Sequence, residues 1–204
     1  GFMALQYQKD AVIQAKKILE AYNGVFISDV VGLGKTFISA MLGQKLQGGK
    51  LVICPPVLVD YWRRTLVLFG VSARVESLGK MDKILEDKEM LSKTKYVFVD
   101  EAHRFRNKDT ESYRKLHEIC FGKKVILISA TPQNNYATDI ANQIYLFQPK
   151  NNSTIIPNNK NLEKFFQSLE SNLKKLEKGS DEYNQTLKNN SEQIRDQVLR
   201  HIMI

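Results

Sequence analysis

The chain has 204 residues, 43% of them hydrophobic, and a formal net charge of +8. This length and composition allow a full core without disulfides or a structural metal, and the apolar runs are much too short to span a membrane. No signal peptide is visible at the start, and a soluble, cytoplasmic domain is expected.

The positive charge and the cysteines say less about function. The charge fits a partner with a phosphate backbone, but it fits equally well lysines spread over solvated helix faces. Cys54 and Cys120 lie in or near apolar segments and are interpreted as buried, reduced thiols. The three histidines do not have the spacing of a zinc site, and none is predicted.

A first helix is predicted over residues 5–21, where apolar residues recur at helical spacing. The pair Asn23-Gly24 follows the last of these residues and is typical of a helix end.

The next motif has the pattern of a phosphate-binding loop. Residues 29–36 read Asp-Val-Val-Gly-Leu-Gly-Lys-Thr, between a short apolar run and a helical pattern. Gly32 and Gly34 therefore lie in a strand-to-helix turn, where glycine can take a positive φ and let backbone amides approach phosphate oxygens. Lys35 is expected to reach the β- and γ-phosphates, and the Thr36 hydroxyl to bind Mg²⁺. The alternative is a glycine-rich turn beside a surface lysine.

Strand-like runs alternate with helical or loop segments and are predicted at residues 25–28, 51–54, 74–77, 96–99 and 124–128. Such alternation predicts an α/β fold with a parallel sheet, right-handed crossovers and helices on both faces. Three of the strands lead into the phosphate loop, an acidic pair and the run Ser129-Ala130-Thr131. These three motifs are expected to converge on one edge of the sheet.

The acidic pair follows the apolar run at residues 96–99. Asp100 and Glu101 come directly after this run, so they are expected to emerge at the carboxyl edge of the sheet, where open α/β folds bind ligands. Asp100 is expected to hold Mg²⁺, directly or through water, and Glu101 to orient and deprotonate the attacking water. The alternative is that both acids begin a surface loop or helix.

The character of the sequence changes at residue 150. Residues 150–161 are polar and predicted to be a loop, and residues 162–176 form one amphipathic helix, which a glycine–serine pair ends. Residues 194–202 mark another helix, with Asn190 or Ser191 as its N-cap. These helices either pack on the core lobe or on a missing neighbour, or they form a protrusion that grips nucleic acid or a partner.

Five ordered motifs resemble those of the superfamily-two helicases and translocases, most closely the SWI/SNF-type branch. They are Ala4-Leu5-Gln6-Tyr7-Gln8, Asp29 to Thr36, Leu51 to Val59 followed by Trp62, Asp100-Glu101-Ala102-His103 with Arg104 and Asn107, and Leu127 to Pro132 followed by Gln133-Asn134-Asn135. Asp29 stands where the common phosphate loop has Gly, and this departure matches the family. The resemblance implies a three-layer, RecA-like P-loop NTPase lobe with a mainly parallel sheet, helices on both faces and a C-terminal helical extension.

The resemblance also implies roles for single residues. ATP would be bound by Gln8, Asp29, Gly32, Leu33, Gly34, Lys35 and Thr36, with Gln8 reading the adenine edge. Mg²⁺ would be held by Thr36 and Asp100, and catalysis carried by Glu101 and Lys35. Hydrolysis would be coupled to movement by His103, Ser129, Ala130 and Thr131. Nucleic acid would contact Pro55, Pro56, Arg104 and Asn107, although the arginine fits a solvated surface equally well. Tyr61 and Trp62 are expected to pack in the core rather than to stack on bases.

The implied activity is ATP hydrolysis that drives movement on nucleic acid, with duplex DNA favoured. In this family ATP lies between two RecA-like lobes, and the second lobe supplies arginine fingers. The last five residues resemble the segment before that second lobe, and Gly1 resembles a residue left by tag removal. We therefore expect an excised part of a larger protein, with a lobe at 1–149 and a loop and helical extension at 150–204. Such an isolated lobe would hydrolyse ATP weakly or not at all.

Two other classes of function stay open. One is the motor module of a restriction or repair nuclease complex, and the other is a nucleotide-gated interaction module without translocation. A small-molecule kinase would leave Gln8 and the Ser129-Ala130-Thr131 run without an explanation.

Overall fold

The computed structural model describes residues 5–28, 34–129, 137–156 and 161–204. Five strands form one sheet within them: β1 (Gly24–Ser28), β2 (Gly49–Cys54), β3 (Arg74–Ser77), β4 (Thr94–Asp100) and β5 (Lys124–Ser129). The predicted strands are all confirmed, and their ends differ from the observed ones by two residues at most.

The strand order across the sheet is β1-β5-β4-β2-β3, and every pairing is parallel. After β1 the chain passes over the places later filled by β5 and β4 to form β2, and then adds β3 at the edge. It then returns to form β4 beside β2 and β5 between β4 and β1. Right-handed crossovers put the outward connections on one face of the sheet and the returning connections on the other. Both faces are therefore covered, which explains why β1, β4 and β5 each contain a continuous run of buried apolar residues. The predicted α/β lobe is confirmed.

The helices around the sheet are α1 (Gln6–Tyr22), α2 (Lys35–Lys45), α3 (Val59–Leu68), α4 (Met81–Glu86), α5 (Lys88–Lys93), α6 (Glu111–Cys120) and α7 (Ala137–Ile144). α1 ends at Asn23, whose φ of 61° is the left-handed conformation of a helix C-cap, so the first predicted helix is confirmed. Short 3₁₀ turns at Pro56–Leu58 and Ala102–Phe105 follow the carboxyl ends of β2 and β4.

The C-terminal helices are α8 (Leu162–Lys174), α9 (Asp181–Ile194), a π-helical turn (Arg195–Leu199) and α10 (Arg200–Ile202). Their apolar side chains, including Phe166, Val198 and Ile202, belong to the same hydrophobic core as the sheet. Packing on the core lobe, one of the two alternatives for these helices, is therefore confirmed.

The predicted helix start at Asn190 or Ser191 is wrong. α9 begins ten residues earlier, at Asp181, because the Ser180 hydroxyl accepts a hydrogen bond from the Tyr183 backbone amide at 3.1 Å. Asn190 lies inside the helix, where its amide donates to the Leu169 carbonyl at 3.0 Å. A buried amide with a partner on the neighbouring helix is satisfied there, so it is not needed as a cap.

The end of the chain lies against the outer edge of β1. Phe26 forms a parallel bridge with Met203, and the Ile204 amide donates to the Phe26 carbonyl at 3.0 Å. The Ser28 amide in turn donates to the Ile204 carbonyl at 2.9 Å. The strand that enters the phosphate loop is therefore bonded on both sides.

Both cysteines are free and buried, as predicted. Burial raises the pKa of the Cys54 thiol and that of the Cys120 thiol to about 12, which keeps them protonated at neutral pH. In the described residues, no helix combines the length and the apolar character needed to cross a membrane.

Replacing Phe166 by alanine is expected to lower the free energy of unfolding by about 3–5 kcal/mol. Its ring is 1% exposed and packs edge-on against the rings of Phe165 and Tyr145. The matched control is Phe121→Ala, where a ring that is 80% exposed is lost, and we expect a change within about 0.5 kcal/mol. Urea denaturation measures both, and equal losses would contradict a core that extends into α8.

Candidate active site

Three strand ends meet at one edge of the sheet. Ser28 at the end of β1 pairs with Ser129 at the end of β5, and Asp100 at the end of β4 pairs with Ile128 of β5. Because β5 lies between the other two strands, the ends of β1, β4 and β5, at Ser28, Asp100 and Ser129, lie side by side. The expected convergence is confirmed for these residues.

The start of α2 forms one wall of the site. Gly34 has φ 79°, a left-handed conformation that glycine adopts without strain, and Lys35 and Thr36 are the first helical residues. The free amides and the dipole of a helix N-terminus favour an anion at this position. Asp29, Gly32 and Leu33, which were predicted to bind ATP, lie outside the described residues.

Gln8 lies beside the start of α2. Its side chain is buried, and its amide nitrogen lies 3.5 Å from the position that the Cβ of a residue substituted for Gly34 would occupy. The amide oxygen accepts a hydrogen bond from the Leu5 backbone at 3.0 Å, which fixes the orientation of the amide group. The fold therefore brings two sequence motifs together that are more than twenty residues apart.

Asp100 is held by two donors from different elements. Its Oδ2 accepts a hydrogen bond from the Trp62 indole at 2.8 Å, and its Oδ1 accepts one from the Glu101 amide at 2.9 Å. Burial raises the pKa of this carboxyl, while the two hydrogen bonds and the charge of Lys35 act in the opposite direction. α2 begins at Lys35, seven residues after β1 ends at Ser28, and Asp100 ends β4, which is separated from β1 by β5 alone.

The oxygen atoms at this edge suit a magnesium ion. Asp100 offers a carboxylate, and because each carboxylate oxygen has two lone pairs, an oxygen that accepts a hydrogen bond from Trp62 or Glu101 can also bind a cation. Thr36 offers a hydroxyl at the start of α2. Carboxylate and hydroxyl oxygens beside bound phosphates are the ligands that Mg²⁺ prefers.

Glu101 has an unusual backbone conformation. Its φ of 55° and ψ of 44° lie in the left-handed region, which costs a residue with a Cβ about 1–2 kcal/mol. Its Oε2 lies 3.2 Å from Nδ1 of His103, and the same nitrogen lies 3.2 Å from the Ser129 hydroxyl. A proton on Nδ1 would be shared between these two oxygens, which links the end of β4 to the end of β5. Ala130 and Thr131 lie outside the described residues.

The residues predicted to contact nucleic acid lie beyond the ends of β2 and β4. Pro56, Arg104 and Asn107 are exposed, whereas Pro55 is buried. The Asn107 side chain accepts a hydrogen bond from the Asp109 amide at 2.9 Å, so part of its polar capacity is used locally.

The sequence did not indicate every contact of the site. Burial of Trp62 is confirmed, but nothing in the pattern showed that Asp100 would accept its indole hydrogen bond. The expected core position of Tyr61 is wrong, because this side chain is 41% exposed. Successive residues of a helix point about 100° apart, so burying Trp62 turns its neighbour toward solvent.

Comparison with known proteins places these residues in a family context. The model of the family described as "DEAD/DEAH box helicase" matches residues 62–140. "Protein CHROMATIN REMODELING 5" of Arabidopsis thaliana is 30% identical over 191 residues, which cover 73% of this chain and 11% of that protein. "Uncharacterized ATP-dependent helicase YqhH" of Bacillus subtilis is 27% identical over 171 residues, 73% of this chain and 30% of that protein. The chain thus spans less than a third of the length of either relative.

A solved structure shares the fold. The Sulfolobus solfataricus SWI2/SNF2 ATPase core, determined in complex with double-stranded DNA, aligns with 98% of this chain and 43% of its own, with a TM-score of 0.67. At 18% identity this likeness concerns the fold alone.

Proposed function

Because this chain belongs to the DEAD/DEAH-box helicases and to their SWI/SNF-type branch, we propose that it is the ATP-binding lobe of a translocase that hydrolyses ATP to move on duplex DNA. The observation that carries the proposal is the meeting of Lys35, Asp100 and Glu101 at one edge of the sheet. Lys35 begins the helix that follows β1, and Asp100 ends β4 with Glu101 directly after it, with only β5 between these two strands.

Binding of ATP is assigned to the start of α2 and to the loop before it. Lys35 and the backbone amides of this helix start would hold the phosphates, because both present positive charge to the same point. Gln8 would select adenine, since its amide is buried, oriented by Leu5 and adjacent to Gly34.

We assign a Mg²⁺ ion to Thr36 and Asp100, whose oxygens suit it. When bound, the ion would neutralise charge on the β- and γ-phosphates during their cleavage. The contribution of the protein is the orientation of the ligands. The carboxylate of Asp100 is fixed by two hydrogen bonds before any ligand arrives.

Glu101 would orient the attacking water and accept its proton. Its carboxylate lies 3.2 Å from Nδ1 of His103. His103 also contacts Ser129, so a change at the γ-phosphate side would reach the end of β5 and the Ala130-Thr131 pair that follows. We propose this path for coupling hydrolysis to movement.

Duplex DNA is proposed as the track. The net charge of +8 is compatible with a phosphate backbone, and a structural neighbour was solved on double-stranded DNA. Pro56, Arg104 and Asn107 are exposed beyond the ends of β2 and β4 and would contribute to this surface. Pro55 is buried and would support the turn that presents Pro56.

We further propose that this chain is part of a longer parent protein that contains a second RecA-like lobe. Residues 1–149 would form the first lobe, and residues 150–204 would lead toward the second. The small share of each relative that the chain covers supports this arrangement.

Replacing Lys35 by alanine is expected to weaken ATP binding by this chain about 10–100-fold, the value of one charge-assisted hydrogen bond. Isothermal titration calorimetry with ATP in the presence of Mg²⁺ measures the effect. The matched control is Lys45→Ala at the other end of α2, which removes the same charge about 15 Å away and should leave the affinity unchanged. Absence of ATP binding by the unaltered chain, or equal affinities of both variants, would overturn the proposed function.

A further inference from the structure

Trp62 is the only tryptophan of the chain, and it is fully buried. A buried indole N–H needs an acceptor, and a backbone carbonyl of the core would satisfy this need. Its acceptor is instead Oδ2 of Asp100, at 2.8 Å and 38 residues further along the chain. A structural residue of α3 is thereby connected to the carboxylate assigned to Mg²⁺.

The two hydrogen bonds of Asp100 differ in what they fix. The bond from the Glu101 amide comes from the next residue and moves with the turn at the end of β4. The bond from Trp62 comes from α3, which contacts α2 and β3 and is distant from that turn along the chain. Only the two together fix the rotation of the carboxylate plane, and so the direction of its remaining lone pairs.

We propose that Trp62 is a positioning residue, which orients the Asp100 carboxylate for a divalent cation bound with the nucleotide. This inference rests on the proposed function, because it concerns the cation site of the same nucleotide-binding edge. The indole N–H does not touch the cation. It acts through Asp100, as the outer partners of metal ligands do when they fix a ligand's orientation. Because Trp62 is the only tryptophan, tryptophan emission arises from a single position, whose indole N–H is hydrogen-bonded to this carboxylate.

The test uses the variant Trp62→Phe, which keeps an aromatic ring in the core and removes only the N–H and part of the ring. Calorimetry with ADP measures nucleotide affinity in excess EDTA, and a Mg²⁺ titration of the ADP-bound chain then measures affinity for the cation. We expect unchanged ADP affinity in EDTA and a Mg²⁺ affinity that falls about 10–100-fold. The control Phe166→Leu alters an equally buried ring away from Asp100 and should leave both affinities unchanged.

A second measurement needs no variant and does not depend on how Trp62→Phe folds. In the unaltered chain with ADP bound, addition of Mg²⁺ is expected to change the Trp62 emission, and addition of Mg²⁺ without nucleotide is expected to leave it constant. Two results would overturn the role of Trp62, provided that the chain still binds nucleotide. One is an unchanged Mg²⁺ affinity in Trp62→Phe, and the other is a Trp62 emission that stays constant when Mg²⁺ is added to the ADP complex. A chain with intact Trp62 that bound no nucleotide would overturn the proposed function itself, and this role with it.

Discussion

Replacing Glu101 by glutamine is expected to lower ATP hydrolysis by the longer parent protein about 10²–10⁴-fold, the contribution of a positioned general base. ATP binding should persist, because the phosphates are assigned to Lys35 and the start of α2. Glutamine has the size of glutamate but cannot accept a proton from water at neutral pH. Steady-state phosphate release measures the first effect, and calorimetry with ATP measures the second.

The matched control for this variant is Glu118→Gln. Glu118 lies on the exposed surface of α6, away from the sheet edge that bears the site, and its neutralisation should change neither hydrolysis nor binding. Loss of ATP binding in Glu101→Gln would assign Glu101 to the binding of nucleotide rather than to the activation of water. Full ATP hydrolysis by Glu101→Gln would show that Glu101 does not take part in the hydrolysis step.

The contact between Glu101 and His103 gives this prediction a structural meaning. Both side chains are partly exposed, at 38% and 45%, so the pair is a weak source of stability. Its geometry matters more, because Nδ1 of His103 also reaches Ser129 at the end of β5. The residue assigned to water activation and the segment assigned to coupling therefore share one imidazole.

Much of the fold follows from patterns that are local in sequence. Four of the strands (β1, β2, β4 and β5) are largely buried and contain a continuous apolar run, whereas the edge strand β3 has one buried residue, Val75. The carboxyl end of each run then locates its motif, which is how the positions of Lys35, Asp100 and Ser129 could be predicted. The order of the strands in the sheet is not encoded in such runs, and it became known only from the structure.

Other features depend on contacts between distant parts of the chain. The hydrogen bond from Trp62 to Asp100 joins α3 to β4 and has no local signature beyond the general need of a buried indole for an acceptor. The error at Asn190 has the same origin, because its partner is a carbonyl on α8. Asparagine is favoured at helix caps only when no tertiary acceptor competes for its side chain.

Residues 1–204 alone are expected to hydrolyse ATP about 10³–10⁵-fold more slowly than a parent protein that contains the second lobe, because arginine fingers contribute this factor in phosphoryl transfer. Lys35 is assigned to the β- and γ-phosphates. Under the proposed two-lobe arrangement, arginines of the second lobe would stabilise the charge that builds up on the transferring phosphoryl group.

The comparison is made with duplex DNA present at saturating concentration, since the second lobe would also provide half of the track. The control is a parent protein in which the candidate arginines of the second lobe are replaced by alanine, and its rate should fall to that of residues 1–204. Fast, DNA-stimulated hydrolysis by residues 1–204 alone would show that the lobe carries a complete active site. The excised-lobe proposal would then be abandoned, whereas the assignments of Lys35 and Glu101 would stand.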